Sequence, residues 1–428
     1  MKRQLFVLPF LFFPLSLNAQ WHFGGIMENG ITSLFSFEED YSCFSDKFTL
    51  APSLQYSGEV LEFKADAELS AAYPENTVAF AMDELYLTYY NYGIWKAQIG
   101  RFHYLPGSSE FFSNTNYCST PDYIKLIENQ GKDYSLPGDM FQLSLIGSDM
   151  YIKNTFSITP VYSETVTADS PWLPSTLLPA SVYVFSDGRY YRDSLYTENP
   201  DWPGITIENL SYNFETGYSA YWFDLSLQYY RGRDNILLNN LEIDLKENNF
   251  FDLSIKPTYE KKTAMGLNLS ANLNALHFWF DGSYSFDKSF QSSTIDIPSY
   301  TTIIYEADLL ETTAGTRYDF YWHDMTLFFE WKNSWNNSEE RFLIPPYLSS
   351  ALAGALRLNF SDYRQQPGAY LVYNLDDNSW ISALQWKYYM NDNISFEATG
   401  AVLRGEDDTL FGHYEQDYLI SLNIIYRK

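Results

Sequence analysis

Beyond residue 20 the chain has no apolar run close to the ~20 residues that a membrane-crossing helix needs. Basic charge is scarce: 27 Lys and Arg stand against 54 Asp and Glu, a formal net charge of −27. That balance excludes nucleic acid as a partner, because phosphate recognition needs basic patches. There are two cysteines, Cys43 and Cys118, too few for a thiolate metal site. The five histidines, His22, His103, His277, His323 and His413, are scattered, with no pair at metal-ligand spacing. No Gly-x-Ser-x-Gly elbow and no glycine-rich phosphate loop occurs. His277 and Asp281 share a strand face two pleats apart, which polar lining explains better than catalysis. The expectation is neither an enzyme nor a cofactor or metal protein. The acidic clusters Asp376-Asp377 and Glu406-Asp407-Asp408 read as solvated loop tips, with calcium held by their oxygens as the alternative.

What the sequence has is alternation. In Leu61-Glu62-Phe63-Lys64-Ala65-Asp66-Ala67-Glu68-Leu69-Ser70 the odd positions are apolar and the even ones polar or charged. Strands have period 2, so this makes one apolar and one polar face. Asp224–Gln228, Gly266–Asn274 and Thr326–Lys332 repeat it. A soluble sheet would need a second sheet over its apolar face. A closed barrel in lipid turns that face outward, and only helices and closed barrels satisfy their backbone inside a bilayer. Aromatics make up 19% of the chain (37 Tyr, 32 Phe, 11 Trp), as girdles at two membrane interfaces would require. The fold class is therefore all-β: a transmembrane antiparallel β-barrel with an even strand number, about 16–20.

The first 19 residues read as a secretory signal: Lys2 and Arg3, an apolar stretch Leu5–Leu17, then a small residue, Ala19, before the cut. Residues 20–428 read as a single barrel domain. Twenty alternating segments are visible in it. The count falls to eighteen or sixteen if 23–37 or 236–259 are misread. Starting from a periplasmic N-terminus, all the long connections fall on one side, including 103–139, 164–204, 288–302 and 336–352. Short turns then fall at Ser57-Gly58-Glu59, Tyr92-Gly93, Gly147-Ser148-Asp149, Thr216-Gly217 and Asn391-Asp392-Asn393, with the Gly, Asn and Asp that turns favour.

The polar face reads as a lumen. Its acids are Glu62, Asp66, Glu68, Glu84, Asp224, Glu242, Asp244, Asp252, Asp281, Glu330 and Glu397. Its bases are Lys64, Lys96, Lys246, Lys256, Lys332, Arg357 and Lys387. An aqueous path with this excess of acid favours cations. The competing reading is a wall of mutually neutralising charges.

One hairpin carries a resemblance. Glu84-Leu85-Tyr86-Leu87-Thr88-Tyr89-Tyr90, a Tyr92-Gly93 turn, and Ile94-Trp95-Lys96-Ala97-Gln98-Ile99-Gly100-Arg101 look like a hairpin of Gram-negative outer-membrane porins. There an acidic-aromatic strand precedes one ending in Gly-Arg. Arg101 falls on the apolar parity, which predicts a bulge or strand end at the rim. The C-terminal Tyr418, Ile420, Leu422, Ile424 and Tyr426 alternate like the signal read by the barrel assembly machinery, although Arg427 and Lys428 follow where family members usually end on an aromatic. The resemblance implies a porin-like channel in the outer membrane of a diderm bacterium. It also suggests that the loop after Arg101 folds inward to narrow the pore; an outward-projecting loop is the alternative. Tyr123–Glu128 within it has helical spacing. Cys43 and Cys118 both fall in expected outer loops, either bridged or as two thiols.

The functional expectation is a porin or substrate-specific diffusion channel passing small polar or cationic solutes. The alternative is a surface-exposed binding protein or adhesin that uses the barrel as a pedestal.

Overall fold

The computed structural model describes residues 20–36, 42–73, 77–91, 93–104, 106–121, 135–159, 183–186, 189–197, 206–234, 238–245, 250–296, 301–320, 324–338, 349–360, 363–406, 409, 411 and 417–428. The expected signal peptide and the expected helical turn at 123–128 lie outside them.

The described residues form twenty-four strands and one short 3-10 turn at Ile207–Asn209. In chain order the strands begin with β1 (Gln20–Ser36), β2 (Ser42–Ser57), β3 (Leu61–Tyr73), β4 (Thr77–Asn91) and β5 (Trp95–Phe102). A two-residue ribbon follows, β6 (Thr120–Pro121) with β7 (Ser135–Leu136). Next come β8 (Gly138–Ile146), β9 (Met150–Thr159), β10 (Tyr183–Ser186), β11 (Arg189–Thr197), β12 (Ser211–Ser219) and β13 (Phe223–Arg233). Then come β14 (Leu238–Leu245), β15 (Phe250–Thr258), β16 (Lys261–Leu273), β17 (Leu276–Asp296), β18 (Thr301–Phe320) and β19 (Met325–Asn336). The last five are β20 (Ser350–Leu358), β21 (Gln365–Asn374), β22 (Trp380–Tyr389), β23 (Ile394–Arg404) and β24 (Asp417–Arg427).

Eighteen of these close into one antiparallel barrel. Its order is β1–β5, β8, β9, β12, β13 and β16–β24, and β24 pairs back onto β1 from Ile26↔Arg427 to Ser36↔Asp417. Gly25 and Lys428 exchange backbone hydrogen bonds at 3.1 Å, so β1 begins and β24 finishes at the same end of the barrel. Closure leaves no edge strand, which a bilayer demands.

The count of twenty is corrected to eighteen by one hairpin. Segments 236–246 and 250–259 do form strands, β14 and β15, but they pair with each other and, in parallel, with β11. Among the described residues their one bridge to the wall is Glu242↔Thr301. β13 pairs directly with β16 from Phe223↔Ala271 to Arg233↔Lys261, which leaves the hairpin no place in the wall. The turn expected at Thr216-Gly217 lies instead at Ala220-Tyr221-Trp222, where Ala220 N–H bonds Phe223 O. Gly217 is an interior strand glycine. A Cβ there would stand 2.2 Å from Tyr151 Cζ on the neighbouring strand, so the ring occupies the space that the glycine leaves.

Parity explains which face meets lipid. Leu384 is 70% exposed and Phe80 is 68% exposed, and Ile420, Leu422, Ile424 and Tyr426 line up on the outward face of β24. One bulge is needed to keep β4 in phase. Asp66 pairs with Glu84, but Ala67 pairs with Met82, so Asp83 is the extra residue. Before it the exposed residues are Val78 and Phe80, and after it Leu85 and Leu87. The extra residue keeps the two halves of β4 in phase with β3, so that Val78 and Phe80 share the outward face with Leu85 and Leu87.

The interior is not uniformly polar. On β20–β24 the inward positions include Ala351, Ala353, Ala355, Val372, Ile381, Ala383, Ala401, Leu403 and Leu419. They form a buried apolar cluster with Trp279, Phe328, Phe111 and Phe112. A hydrated lumen needs no such core, and its presence means that something packs there.

Candidate functional site

The packed element is the segment after β5. β19 stands eight strands round the eighteen-strand wall from β5, yet residues 109–112 bond to Glu330 of β19. The chain therefore crosses the lumen and folds inward, one of the two arrangements expected for this loop.

Glu330 is 0% exposed and is the main anchor. It accepts hydrogen bonds from Ser109 Oγ (2.5 Å) and from the backbone N–H of Phe112 (2.8 Å), Glu110 (3.1 Å) and Phe111 (3.3 Å). Successive N–H groups converging on one carboxylate make a concave anion site, here occupied by the protein's own side chain. Asp281 of β17, also 0% exposed, accepts from Ser109 N–H at 3.3 Å. Gly107 turns the loop onto the wall with φ +82°, and a Cβ there would lie 2.8 Å from Asp281 Oδ2. Further along, Asn114 donates to Thr313 (2.8 Å), Thr115 to Asn268 (2.6 Å), and the hydroxyls of Tyr117 and Ser283 meet at 2.7 Å. At the loop's root Tyr104 OH donates to Glu215 (2.7 Å), which also receives Tyr151 OH (2.7 Å) and Lys153 Nζ (3.1 Å).

Two apolar contacts complete the docking. Phe111 and Phe112 enter the cluster on β17–β24. Tyr104, Tyr117 and Cys118 join Phe102, Met140, Tyr230 and Ala264 in a second one. Cys118 is a free thiol inside that cluster. Burial, and after it the charge of Glu215, push the Cys118 thiol up from its ordinary pKa. The second sulfur, Cys43, lies in β2 opposite Leu34 rather than in a loop, and its side chain is outside the described residues.

The loop lies against β12–β20, and the largest group of charged inward side chains left in contact with water is on β1–β5. Lys64, Asp66 and Glu68 have side chains 28%, 22% and 30% exposed. Lys64 pairs with Asp66 at 2.9 Å and with Glu84. Glu62 accepts from Tyr90 OH (2.8 Å) and Tyr86 OH (3.4 Å). Lys47 stands 3.6 Å from Glu68. Lys96 lies 5.8 Å from the centre of the Tyr90 ring. Glu28 of β1 shares this inward parity, opposite Ile425. Facing them across the lumen, Glu110 at the loop tip meets Arg317 (3.6 Å) and Arg357 (3.3 Å); on β22 and β23, the latter two strands from β1, Lys387 pairs with Glu397.

The residues expected to line a pore thus divide into groups. Glu62, Lys64, Asp66, Glu68, Glu84, Lys96, Arg357 and Lys387 sit on inward parity with partial exposure. Asp224 is inward at the first turn of β13, hydrogen-bonded by Ser219. Asp281 and Glu330 point inward but are covered by the loop and hold it. Asp252 lies on β15, off the wall, which corrects its placement. Glu242 and Asp244 share that correction through β14. His277 meets Asp319 at 3.6 Å rather than Asp281. Arg101 is at the rim on the outward parity, as expected, and Asp139 neutralises it through two bonds of 2.9 and 2.8 Å. Sequence reasoning passed over Glu110, Arg317, Glu28 and Lys47. Arg317 had a readable signal, its shared parity with Thr313 and Glu311; Glu110 had none.

A closed eighteen-strand barrel with an apolar outer belt, a charged interior and one loop across its lumen has the fold of the porin-type outer-membrane β-barrels. No protein-family model and no curated protein matches the chain. Among solved structures it is similar to OccAB1 of Acinetobacter baumannii, at 10% identity and a TM-score of 0.53, over 96% of this chain and 97% of that one. It is also similar to OccK2 (OpdF) of Pseudomonas aeruginosa in complex with glucuronate, at 8% identity and a TM-score of 0.52, over 96% and 98%. OccK8 (OprE) of the same organism follows at 9% identity and 0.50, over 95% and 98%. At such identities the likeness is one of fold.

Proposed function

We propose that the protein is a diffusion channel for small polar solutes, with a preference for cations. The observation that carries the reading is the charge on the water-facing wall. On β1–β5 the inward acids are Glu28, Glu62, Asp66, Glu68 and Glu84, and the inward bases are Lys47, Lys64 and Lys96. Two carboxylates are left in excess. Across the lumen, Glu110 and Asp319 balance Arg317 and Arg357, and beside β1 Glu397 balances Lys387. A unit charge about 5 Å from an aqueous path is worth about 0.8 kcal/mol in water, roughly fourfold in local ion concentration. The mechanism is passive: the barrel wall replaces lipid, the docked loop limits size, and the wall charge sets ion preference.

Residues 1–19 are proposed as a cleaved export signal, with β1 starting at Gln20. The alternating β24 is proposed as the element that the barrel assembly machinery engages. A second reading, a pedestal for surface binding, draws on β10, β11, β14 and β15, which build a small sheet beside the wall. Reversal-potential measurement in planar bilayers separates the readings. A cation-selective current supports the channel; a folded barrel that carries no current supports the pedestal.

A further inference from the structure

We propose that the free edge of β4 at Thr77–Ala81 takes up an extended, basic segment of a separate polypeptide as an added strand. The wall is stepped at this point. β5 pairs with β4 only as far as Arg101↔Leu85, and β8 begins at Gly138, opposite Phe102. Beyond Phe102 the chain leaves the wall for the lumen. β4 runs on to Thr77, about 25 Å further along the strand. Among the described residues it is paired there with β3 alone. Arg101 and Asp139, ion-paired on the outward face, mark the rim from which this stretch projects, at the end of the barrel opposite Gly25 and Lys428. The foot of the step is closed: Arg101 Nη1 donates to Met82 O at 3.4 Å, and His103 meets Asp83 at 3.6 Å. From Thr77 to Ala81 no described residue bonds the edge that faces away from β3.

Val78 and Phe80 are 74% and 68% exposed, against 42% and 40% for Leu85 and Leu87 lower on the same face. Ala79 and Ala81, on the other face, are exposed as well. An apolar strand open on both faces and along one edge is what another strand covers at once. The incoming backbone meets the unpaired N–H and C=O groups, and its alternate side chains cover the two faces. Lipid could cover only the outward face and would leave the edge unbonded. Natural edges are guarded by lysine, proline or inward-pointing charge; Thr77-Val78-Ala79-Phe80-Ala81-Met82 contains none of these. Charge selects a basic occupant: between Lys64 and Lys96 the chain carries Asp66, Glu68, Glu75, Asp83 and Glu84 and no Lys, Arg or His. A second copy in the same membrane does not fit antiparallel pairing. Pairing β4 with its own copy that way needs a two-fold axis perpendicular to the sheet, which lies in the membrane plane and would invert one barrel.

The test uses the full-length barrel in detergent, with amide hydrogen exchange read at Thr77–Ala81. The probe is the synthetic peptide Lys-Val-Thr-Val-Thr-Val-Lys. Without it those amides should exchange fast, and saturating probe should slow them at least about tenfold as the edge becomes paired. The same peptide with proline in place of its central valine should protect far less, because proline cannot donate to the ladder. A version with glutamate at both ends should need a higher concentration at low salt, and the difference should shrink as salt rises. Ala79→Lys combined with Ala81→Lys guards the edge at two exposed sites. It should abolish protection by the glutamate-ended peptide too, so that the loss is not charge repulsion alone. If that variant fails to fold, the proline peptide on the unmodified barrel still decides the matter. Slow exchange at Thr77–Ala81 before any peptide is added, in detergent or in vesicles containing lipopolysaccharide, would show the edge covered by another segment, another copy or lipid, and would overturn the proposal. Equal protection by the proline peptide, or none by the probe, would overturn it as well.

Discussion

Replacing Glu330 by alanine should undock the loop that crosses the lumen. The carboxylate is completely buried and binds Ser109 Oγ and three successive backbone N–H groups. Each N–H left buried without an acceptor costs about 1–3 kcal/mol. Three of them cost about 3–9 kcal/mol if the loop stays in place. The docked state is held in the other direction by Phe111 and Phe112, both buried, at about 1.5–3 kcal/mol each. The two terms are of similar size. The E330A loop should therefore exchange between docked and hydrated positions instead of staying closed. Single-channel recording should show larger, noisier openings, and a protease added on the outer side should cut the loop near residues 106–116. The barrel should still shift on a gel with heating, since wall strands β18 to β20 keep their ladder. Glu330→Gln retains one acceptor oxygen and should be intermediate. Wild-type conductance, noise and protease resistance in E330A would refute the anchoring role.

Other outcomes follow from the same geometry. Leu267 is on the outward parity of β16, so Leu267→Arg should destabilise assembly by about 2–4 kcal/mol near the midplane; Gln55→Arg, inward on β2 opposite Lys64, should assemble normally, and equal behaviour of the two would reject the parity. Cys118, examined in a Cys43→Ser background, should resist maleimide in the folded barrel and react after denaturation, because burial keeps the thiol protonated and covered; rapid labelling of the native barrel would contradict the docked loop.

Most of the barrel wall was legible because period-2 patterning survives wherever one face meets lipid and the other water. β16 and β24 are clear cases. Legibility failed where that contrast was absent or imitated. The β14–β15 hairpin alternates like a wall strand but stands outside the wall, so strand number was overcounted. In Ala351-Leu352-Ala353-Gly354-Ala355-Leu356 both faces are apolar, because Phe111 and Phe112 pack on the inner one. Nothing local in the sequence announces a contact between residues 112 and 330. For the same reason Asp281 and Glu330 were read as pore charges: inward parity is visible in sequence, but a loop lying across it is not. Glu110 escaped notice because its role depends on where Glu330 holds the loop.

The most direct test of the account is the reversal potential of the purified, heat-shiftable barrel in a low-salt potassium chloride gradient. The account predicts a potential of cation-selective sign that decays toward zero as salt rises, since the Debye length falls to about 3 Å at 1 M. It also predicts a smaller potential when Glu62→Gln, Asp66→Asn and Glu68→Gln are combined. An anion-selective sign in the unmodified protein, or a potential indifferent to those three substitutions, would contradict the assignment of the β1–β5 wall as the conducting surface.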